Sequence, residues 1–210
     1  MKLKKNLVIK EVKGKIRKNE LNKICDLIKE ENFKSILSHL SKNLIKKYLR
    51  IVANYNESYI YVLKRKNIII GYAIYFINDA DIIKKFYSLK FEIIKHLLFN
   101  LKILVICNIF LAATRLDLIL LETKKKNKIR KNYLNLNLLA INKNYQSKGY
   151  GNYLIAHPVR QIRRKNNEIN KIICEAPSNR VLRFYIKNNF KIVGKKLRMF
   201  KNFYILQKHI

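Results

Sequence analysis

The first third of the chain alternates strand-like and helix-like hydrophobic patterns. Leu3 to Val12 predicts a strand, and apolar residues at helical spacing then predict helices from Asn19 to Glu31 and from Ser35 to Val52. Two β-rich runs follow at 59–63 and 68–76, and the polar residues between them predict a hairpin.

The strand pattern stops between Asn78 and Asn132. This segment holds an apolar, mostly helical stretch from Phe86 to Leu121, and the longest uncharged part of that stretch is Ile103 to Thr114. A membrane span needs about 20 mostly apolar residues. We therefore interpret residues 78–132 as a helical insertion and not as a transmembrane segment.

Strand character resumes from Tyr133 to Ile141, and a glycine-bearing turn leads into a helix that we expect to reach about Lys165. Pro158 predicts a kink or an early end of that helix, because proline lacks the backbone donor. The remaining elements are a strand, a helix and two strands that close the sheet, at Ile169–Glu175, Asn179–Asn188, Phe190–Val193 and Met199–Gln207. The order of elements predicts an α/β fold whose sheet is mixed, with parallel and antiparallel strands as in α+β proteins. We expect one domain over residues 1–210, with the insertion inside it.

Composition and charge narrow the function classes. The chain has 210 residues, 49% of them hydrophobic, and a formal net charge of +33, so it is not a disordered basic tail. Lysine is spread along the whole chain beside abundant Asn and Ile, which indicates a compositional origin of the charge. Non-specific binding of polyanions is expected in either case, and specific nucleic-acid binding is not.

Cysteine and histidine spacing predicts no disulfide framework and no metal site. Cys25, Cys107 and Cys174 lie far apart, and the four histidines have no Cys or acidic residue at metal-ligand spacing. The basic start of the chain lacks the apolar region of a secretory signal. We therefore expect a cytoplasmic protein.

The segment from Leu138 to Asn152 carries the candidate chemistry. It joins a buried-looking strand to an amphipathic helix through a Gln146-x-x-Gly149-x-Gly151 turn. Glycines let a ligand approach the backbone closely, and unpaired N–H groups at a helix start attract anions. Lys148 adds a positive charge. The third glycine of a dinucleotide-binding fingerprint and the Gly-Lys-Ser/Thr of a P-loop are both missing.

This turn resembles the acetyl-CoA-binding motif of the GNAT superfamily of N-acetyltransferases. A second stretch, Ser178 to Phe190, resembles the family's Asn-x-x-Ala-x-x-x-Tyr-x-x-x-Gly-Phe pattern. Ser178 stands at the Asn position with Asn179 one place late, and Asn189 replaces the glycine. The element order resembles the family outside the insertion.

The resemblance implies a GNAT-like acyl-CoA N-acyltransferase fold with acetyl-CoA as co-substrate. Backbone groups of Leu139 and Ile141 would bind the pantetheine arm and orient the acetyl group. The pyrophosphate would be held by residues of the turn and the start of the next helix: Gln146, Ser147, Lys148, Gly149, Tyr150, Gly151 and Asn152. Asn179, the displaced asparagine of the second motif, is also a candidate for donor binding.

The resemblance also implies direct attack of a neutral amine on the thioester, with no covalent enzyme intermediate. Tyr185 matches the tyrosine that protonates the departing thiolate. Glu175, near a strand end, is the general-base hypothesis, and a salt bridge to a nearby cation is the alternative. Asn135 and Asn137 stand where many members carry an acidic residue.

The acceptor is expected to be a primary amine, with an amino sugar or another small amine as candidates, and an acidic or phosphorylated acceptor suits the basic surface. We expect the insertion to cover this amine as a lid. Extra core packing, an oligomer surface and a helix docked on anionic membrane are its alternatives. Alternative functions are a non-catalytic basic module that binds RNA or anionic membrane, and an N-acyltransferase with a longer acyl donor. The chain is expected to be a monomer or a homodimer.

Overall fold

Seven strands form one mixed sheet in the computed structural model, which describes residues 6–31, 35–77, 89–99, 132–198 and 201–210. The strand order is β1-β2-β3-β4-β5-β7-β6. The strands are β1 (Leu7–Val12), β2 (Ser58–Arg65), β3 (Ile68–Ile77), β4 (Tyr133–Ile141), β5 (Lys171–Ala176), β6 (Lys191–Arg198) and β7 (Lys201–His209). The α-helices are α1 (Lys18–Glu31), α2 (Lys42–Asn54), α3 (Lys90–Phe99), α4 (Tyr150–Lys165) and α5 (Asn179–Lys187).

The predicted α/β fold with a mixed sheet is confirmed. Only β4 and β5 run parallel among the paired strands of the described residues. The hairpin of β2 and β3 turns at Lys66 and Asn67, both with positive φ. Of the predicted insertion, residues 89–99 and residue 132 are described, and the first range contains α3; its other residues lie outside the described part, and its boundaries stay a prediction.

The sheet separates two apolar layers. Alternation along β2 sends Ile60 and Val62 toward α1, α2 and α3, and sends Tyr61 and Leu63 toward α4 and α5. Both faces of the central strands are therefore buried. This explains why β2 and β3 are almost continuously apolar in the sequence instead of alternating with polar residues.

A bulge in β4 reverses which of its side chains face α4. The β3–β4 register skips Asn137, because Ile74 pairs with Leu138 whereas Tyr75 pairs with Leu136. Before the bulge the even-numbered leucines of β4 face α4 and α5, and after it the odd-numbered residues do. One extra residue is enough to exchange the two faces, because side chains along a strand alternate between its faces with a period of two.

β4 and β5 separate just beyond this bulge. Their parallel pairing covers residues 133–136 and 171–174 and ends at the pair Leu136 and Cys174. Residues 137–141 continue to follow β3, but no strand of the described residues pairs with their other edge. The sheet thus has a fork, and we call the point at Leu136 and Cys174 its apex.

One predicted helix is two elements in the structure. The segment predicted as a helix from Ser35 to Val52 contains a 3-10 turn at Ile36–His39, followed by α2 from Lys42. Ser41 is extended, and its hydroxyl accepts a hydrogen bond from the Leu44 N–H at 3.3 Å. A capping serine therefore starts a new helix within a segment whose apolar spacing is continuous.

A kink or an early end is expected at Pro158; the early end is wrong, because α4 continues to Lys165, where the apolar spacing predicts its end. Pro158 has no N–H to donate to the carbonyl of Leu154, one turn earlier. The hydroxyl of Tyr75, a fully buried residue of β3, donates to that carbonyl instead. The carbonyl is therefore satisfied, and the same bond attaches α4 to the sheet.

This bond predicts a non-additive effect on stability. Tyr75→Phe should lower the free energy of unfolding by about 1–3 kcal/mol, because it leaves the buried Leu154 carbonyl without a donor. In a Pro158→Ala background the new amide supplies the donor, so the same substitution should cost at most about 1 kcal/mol. Urea unfolding of the four proteins measures the difference. Equal costs in the two backgrounds would contradict the assignment.

Candidate active site

A tight turn leads from the open edge of β4 into α4. It contains a 3-10 turn at Lys143–Tyr145 and two left-handed residues, Ser147 (φ 60°) and Gly149 (φ 78°). Gly149 precedes the helix and has no side chain to cap it. The N–H groups at the start of α4 therefore face a position suited to an anion.

The two glycines of the turn are required for different physical reasons. A Cβ atom at Gly149 would have no atom within 4 Å, so its positive φ is what favours glycine there. A Cβ atom at Gly151 would lie 2.9 Å from Cζ of Phe184. Gly151 therefore allows α4 and α5 to approach each other closely beside the turn.

Gln146 connects the turn to three other elements. Its Nε2 donates to the Ile141 carbonyl at 2.8 Å and to Glu31 Oε2 at 2.9 Å, while its Oε1 accepts from Arg180 at 2.6 Å. Glu31 also accepts the Lys143 backbone N–H at 2.7 Å. The side chain of Gln146 thus fixes the turn against α1 and α5. Sequence reasoning missed Glu31 and Arg180, although Arg180 lies inside the second motif.

Two cations lie against the ring of Tyr145 in this turn. Lys148 Nζ is 5.5 Å from the ring centre and donates to the Asn144 carbonyl at 3.0 Å, and Arg65 Cζ is 5.9 Å from the same ring. Lys148 is exposed. Positive charge therefore surrounds the N–H groups of the turn.

The other residues predicted to bind the donor lie along the open edge of β4, in the turn and at the starts of the two helices: Leu139, Ile141, Ser147, Tyr150, Asn152 and Asn179. Tyr150 is buried in the core, whereas Asn152 and Asn179 are exposed. Ser178, at the motif's asparagine position, caps α5 by accepting the Val181 N–H at 3.4 Å.

Tyr185 lies at the apex of the fork. Its ring is 4% exposed and packs against Phe184 and Phe190, and its hydroxyl is hydrogen-bonded to the Cys174 side chain. Cys174 is the last residue of β5 that pairs with β4. Burial, followed by the proximity of Cys174, raises the pKa of Tyr185 well above its ordinary value. The hydroxyl therefore keeps its proton at neutral pH.

Glu175 follows Cys174 on β5 and points to the opposite face of the sheet, because Cys174 and Ala176 face α4 and α5. Its carboxylate is paired with Lys196, which reaches across β7 from β6. The salt bridge weighed as the alternative is therefore present. Tyr185 and Glu175 lie on the two faces of the sheet beside the fork.

The buried thiols are not activated nucleophiles. Burial raises the pKa of Cys25 to about 11, and it raises the pKa of Cys174 further. Cys107 lies outside the described residues. Within the described ranges, no group of three or more His, Cys, Asp or Glu side chains is placed to hold a metal ion. No helix of that same part is long and apolar enough to cross a membrane.

Comparison with known proteins identifies the family of this site. The model of the acetyltransferase (GNAT) family matches residues 21–190, which include the turn, the fork and Tyr185. No curated protein matches the chain.

Solved structures share the fold at low sequence identity. An acetyltransferase of the GNAT family from Desulfovibrio desulfuricans is 12% identical, with a TM-score of 0.59 over 97% of this chain and 98% of that one. The ribosomal-protein-S18-alanine N-acetyltransferase from Escherichia coli is 9% identical, with a TM-score of 0.56 over 97% and 94%. A GNAT acetyltransferase from Elizabethkingia anophelis with acetyl-CoA bound is 16% identical, with a TM-score of 0.54 over 99% and 100%.

The two glycines should respond differently to the same partner substitution. Gly151→Ala should lower the free energy of unfolding by about 1–3 kcal/mol, and Phe184→Leu should remove most of that cost by making room for the methyl group. Gly149→Ala should cost about 1–2 kcal/mol through its backbone conformation, equally with Phe or Leu at position 184. Denaturant unfolding of the six proteins measures this. Relief of both alanine variants by Phe184→Leu would contradict the distinction.

Proposed function

Because the chain belongs to the acetyltransferase (GNAT) family, we propose that it transfers an acetyl group from acetyl-CoA to a primary amine by direct attack in a ternary complex. The observation that carries this proposal is the fork between β4 and β5, which opens beside an anion-binding turn and has Tyr185 at its apex.

The fork and the turn suit the two chemically different parts of the donor. The amides of a pantetheine arm can hydrogen-bond the open edge of β4 at residues 138–141, as an added strand would. A pyrophosphate fits the N–H groups at the start of α4, with Lys148 and Arg180 nearby. The acetyl-CoA found in the relative from Elizabethkingia anophelis supports this choice of donor.

The proposed chemistry needs a proton donor for the sulfur and an acceptor for the amine proton. The amine attacks the thioester carbonyl, the C–N bond forms, and the C–S bond breaks with the electron pair leaving on sulfur. Tyr185 is the proposed acid, since it is protonated and lies at the apex. Glu175 is the proposed base on the other face, where its carboxylate is paired with Lys196.

The acceptor is proposed to be a small primary amine that carries negative charge, such as a phosphorylated amino sugar. The net charge of +33 favours approach of such a molecule. Helix α3 packs on the same face of the sheet as α1 and α2 through Ile93 and Leu97, and its Glu92 pairs with Lys47 at 2.7 Å. This placement supports the insertion as a cover over the acceptor side.

Specific donor binding should survive salt. Acetyl-CoA at about 100 times its Kd should stabilise the protein by about 2.7 kcal/mol. We expect the resulting rise in Tm at both low and high salt, because fixed N–H groups and the strand edge contribute to binding. ATP serves as the control polyanion, and its effect should disappear at high salt. Equal shifts with both ligands that vanish in salt would contradict a specific donor site.

Tyr185→Phe should lower kcat by about 10²-fold or more while the KM for acetyl-CoA changes little, because only the proton for the leaving sulfur is lost. Tyr59→Phe is the matched control. It removes the hydroxyl of another buried tyrosine, one that accepts a hydrogen bond from Asn166 at 3.1 Å, and it should keep wild-type kcat. The raised pKa of Tyr185 also predicts no alkaline loss of activity below about pH 10. Wild-type kcat in Tyr185→Phe would exclude this residue as the acid.

The same assay separates the two interpretations of Glu175. If it is the base, Glu175→Gln should remove the acidic limb of the pH–rate profile and lower kcat. If it is only the partner of Lys196, the variant should lose stability while the shape of the profile stays unchanged. Glu168→Gln removes an exposed carboxylate elsewhere and serves as the control.

A further inference from the structure

A second basic site lies at the far end of α4 from the turn. A groove of about 560 Å³ opens there, where α4 ends and β5 begins. Arg160, Arg163 and Arg164 line it from the helix, and Lys208 lines it from β7. Gly151 and Arg163 are about 18 Å apart along α4, at about 1.5 Å per residue. The basic end of the groove is therefore separate from the proposed pyrophosphate position, although the lining of the groove reaches back along α4 to Ile155.

The three arginines share one face of the helix without acidic partners. They stand at positions i, i+3 and i+4, and no carboxylate of the described residues pairs with them. The neighbouring Lys165, by contrast, is bound to Glu11 at 2.9 Å. Like charges at this spacing destabilise a helix. The dipole of the helix favours cations in its last turn, where Arg163 and Arg164 lie, but it does not account for Arg160 one turn earlier.

The choice of arginine runs against the composition of the chain. Only 11 of the 46 basic residues are arginine, yet three of those 11 fall within the five residues from Arg160 to Arg164. A bias toward lysine accounts for the high charge but not for this cluster. Arginine binds phosphate oxygens through two parallel N–H donors, which lysine cannot do. The cluster therefore points to a phosphate group.

The floor of the groove is aliphatic. It is formed by Ile155 and Val159 of α4, Ile172 of β5 and Ile210, which follows β7. Among the described residues, no aromatic and no acidic side chain lines it. A nucleobase would therefore find no ring to stack on. An aliphatic chain, in contrast, would be removed from water on this floor.

Lys208 is held in place at the opposite rim. Its Nζ donates to the Asn188 carbonyl at 2.9 Å and lies 5.8 Å from the ring centre of Phe190. Its charge therefore stays at the groove instead of moving with a free side chain.

The volume of the groove lies within the range of about 300–1,000 Å³ that is typical of small-molecule pockets.

We propose that this groove binds an aliphatic amphiphile with a phosphate head, the head on the three arginines and the chain on the isoleucine floor. The site is separate from the acyl-donor and acceptor sites. The same chemistry occurs in an anionic phospholipid of a bilayer and in a monomeric alkyl phosphate.

Binding of decyl phosphate below its micelle concentration tests the site in the full chain by isothermal titration calorimetry. One molecule per chain should bind wild-type protein more tightly than inorganic phosphate or decanol does. Arg160→Gln/Arg163→Gln/Arg164→Gln should weaken binding by about tenfold or more. The control Lys13→Gln/Lys66→Gln/Lys95→Gln removes the same charge from exposed positions outside the groove and should change binding by about twofold at most.

A second variant tests the floor without disturbing the helix. Ile210→Ser, at the end of the chain, should weaken decyl phosphate binding and leave inorganic phosphate binding unchanged. Equal weakening by the two triple variants would overturn the proposal, because only net charge would then matter. Loss of acetyl-CoA binding in the arginine variant would also overturn it, because the groove would then belong to the donor site.

Sedimentation with vesicles distinguishes the two sources of the ligand. Sedimentation of wild-type protein, but not of the arginine variant, with vesicles containing phosphatidic acid supports the site with a bilayer lipid as its ligand. Binding of decyl phosphate without vesicle sedimentation supports it with a monomeric amphiphile. Neither decyl phosphate binding nor vesicle sedimentation by wild-type protein would overturn it.

Discussion

The separation of β4 from β5 at Leu136 and Cys174 is the constraint on which the rest of the structure depends. A central strand with one open edge exposes backbone donors and acceptors that normally pair, and such an edge is stable only where other groups occupy or hydrate it. The amide of Gln146 binds the Ile141 carbonyl at one end of the edge. The hydroxyl of Tyr185 and the thiol of Cys174 fill the other end. Between them the edge remains available to an extended ligand.

The position of α4 follows from the same requirement. Its first turn must stand at the open end of the fork, so the helix needs an attachment that does not depend on side-chain packing alone. Pro158 supplies that attachment indirectly, because it releases the Leu154 carbonyl from the helix and Tyr75 of β3 binds it. Gly151 then sets the distance to α5 by admitting the ring of Phe184. A residue that looks like a helix breaker in the sequence thus helps to fix the helix to the sheet.

Sequence patterns predicted those parts of the molecule that are specified locally. The bounds of β4 agree with the prediction, and the turn and the ends of α4 follow from glycine and apolar spacing, whereas Pro158 suggested an early end that the helix does not have. The bulge at Asn137 was not predicted, because Leu138 and Leu139 are both apolar and conceal the change of face. Glu31 and Arg180 were missed as partners of Gln146, because those contacts join residues distant in the chain. The start of α2 after Ser41 was not predicted, because the apolar spacing continues across this N-cap.

The two anion sites proposed at the ends of α4 would attract anions by opposite means. At the N-terminus, uncapped N–H groups and the positive end of the helix dipole favour a negative ligand even without charged side chains. At the C-terminal end the dipole is negative, so an anion there is favoured only if side chains outweigh it. Three guanidinium groups carry several times the roughly half charge of the helix end. An anion site at the C-terminal end of a helix therefore needs a cluster of cations such as these arginines. An anion site at the N-terminal turn needs few cations of its own.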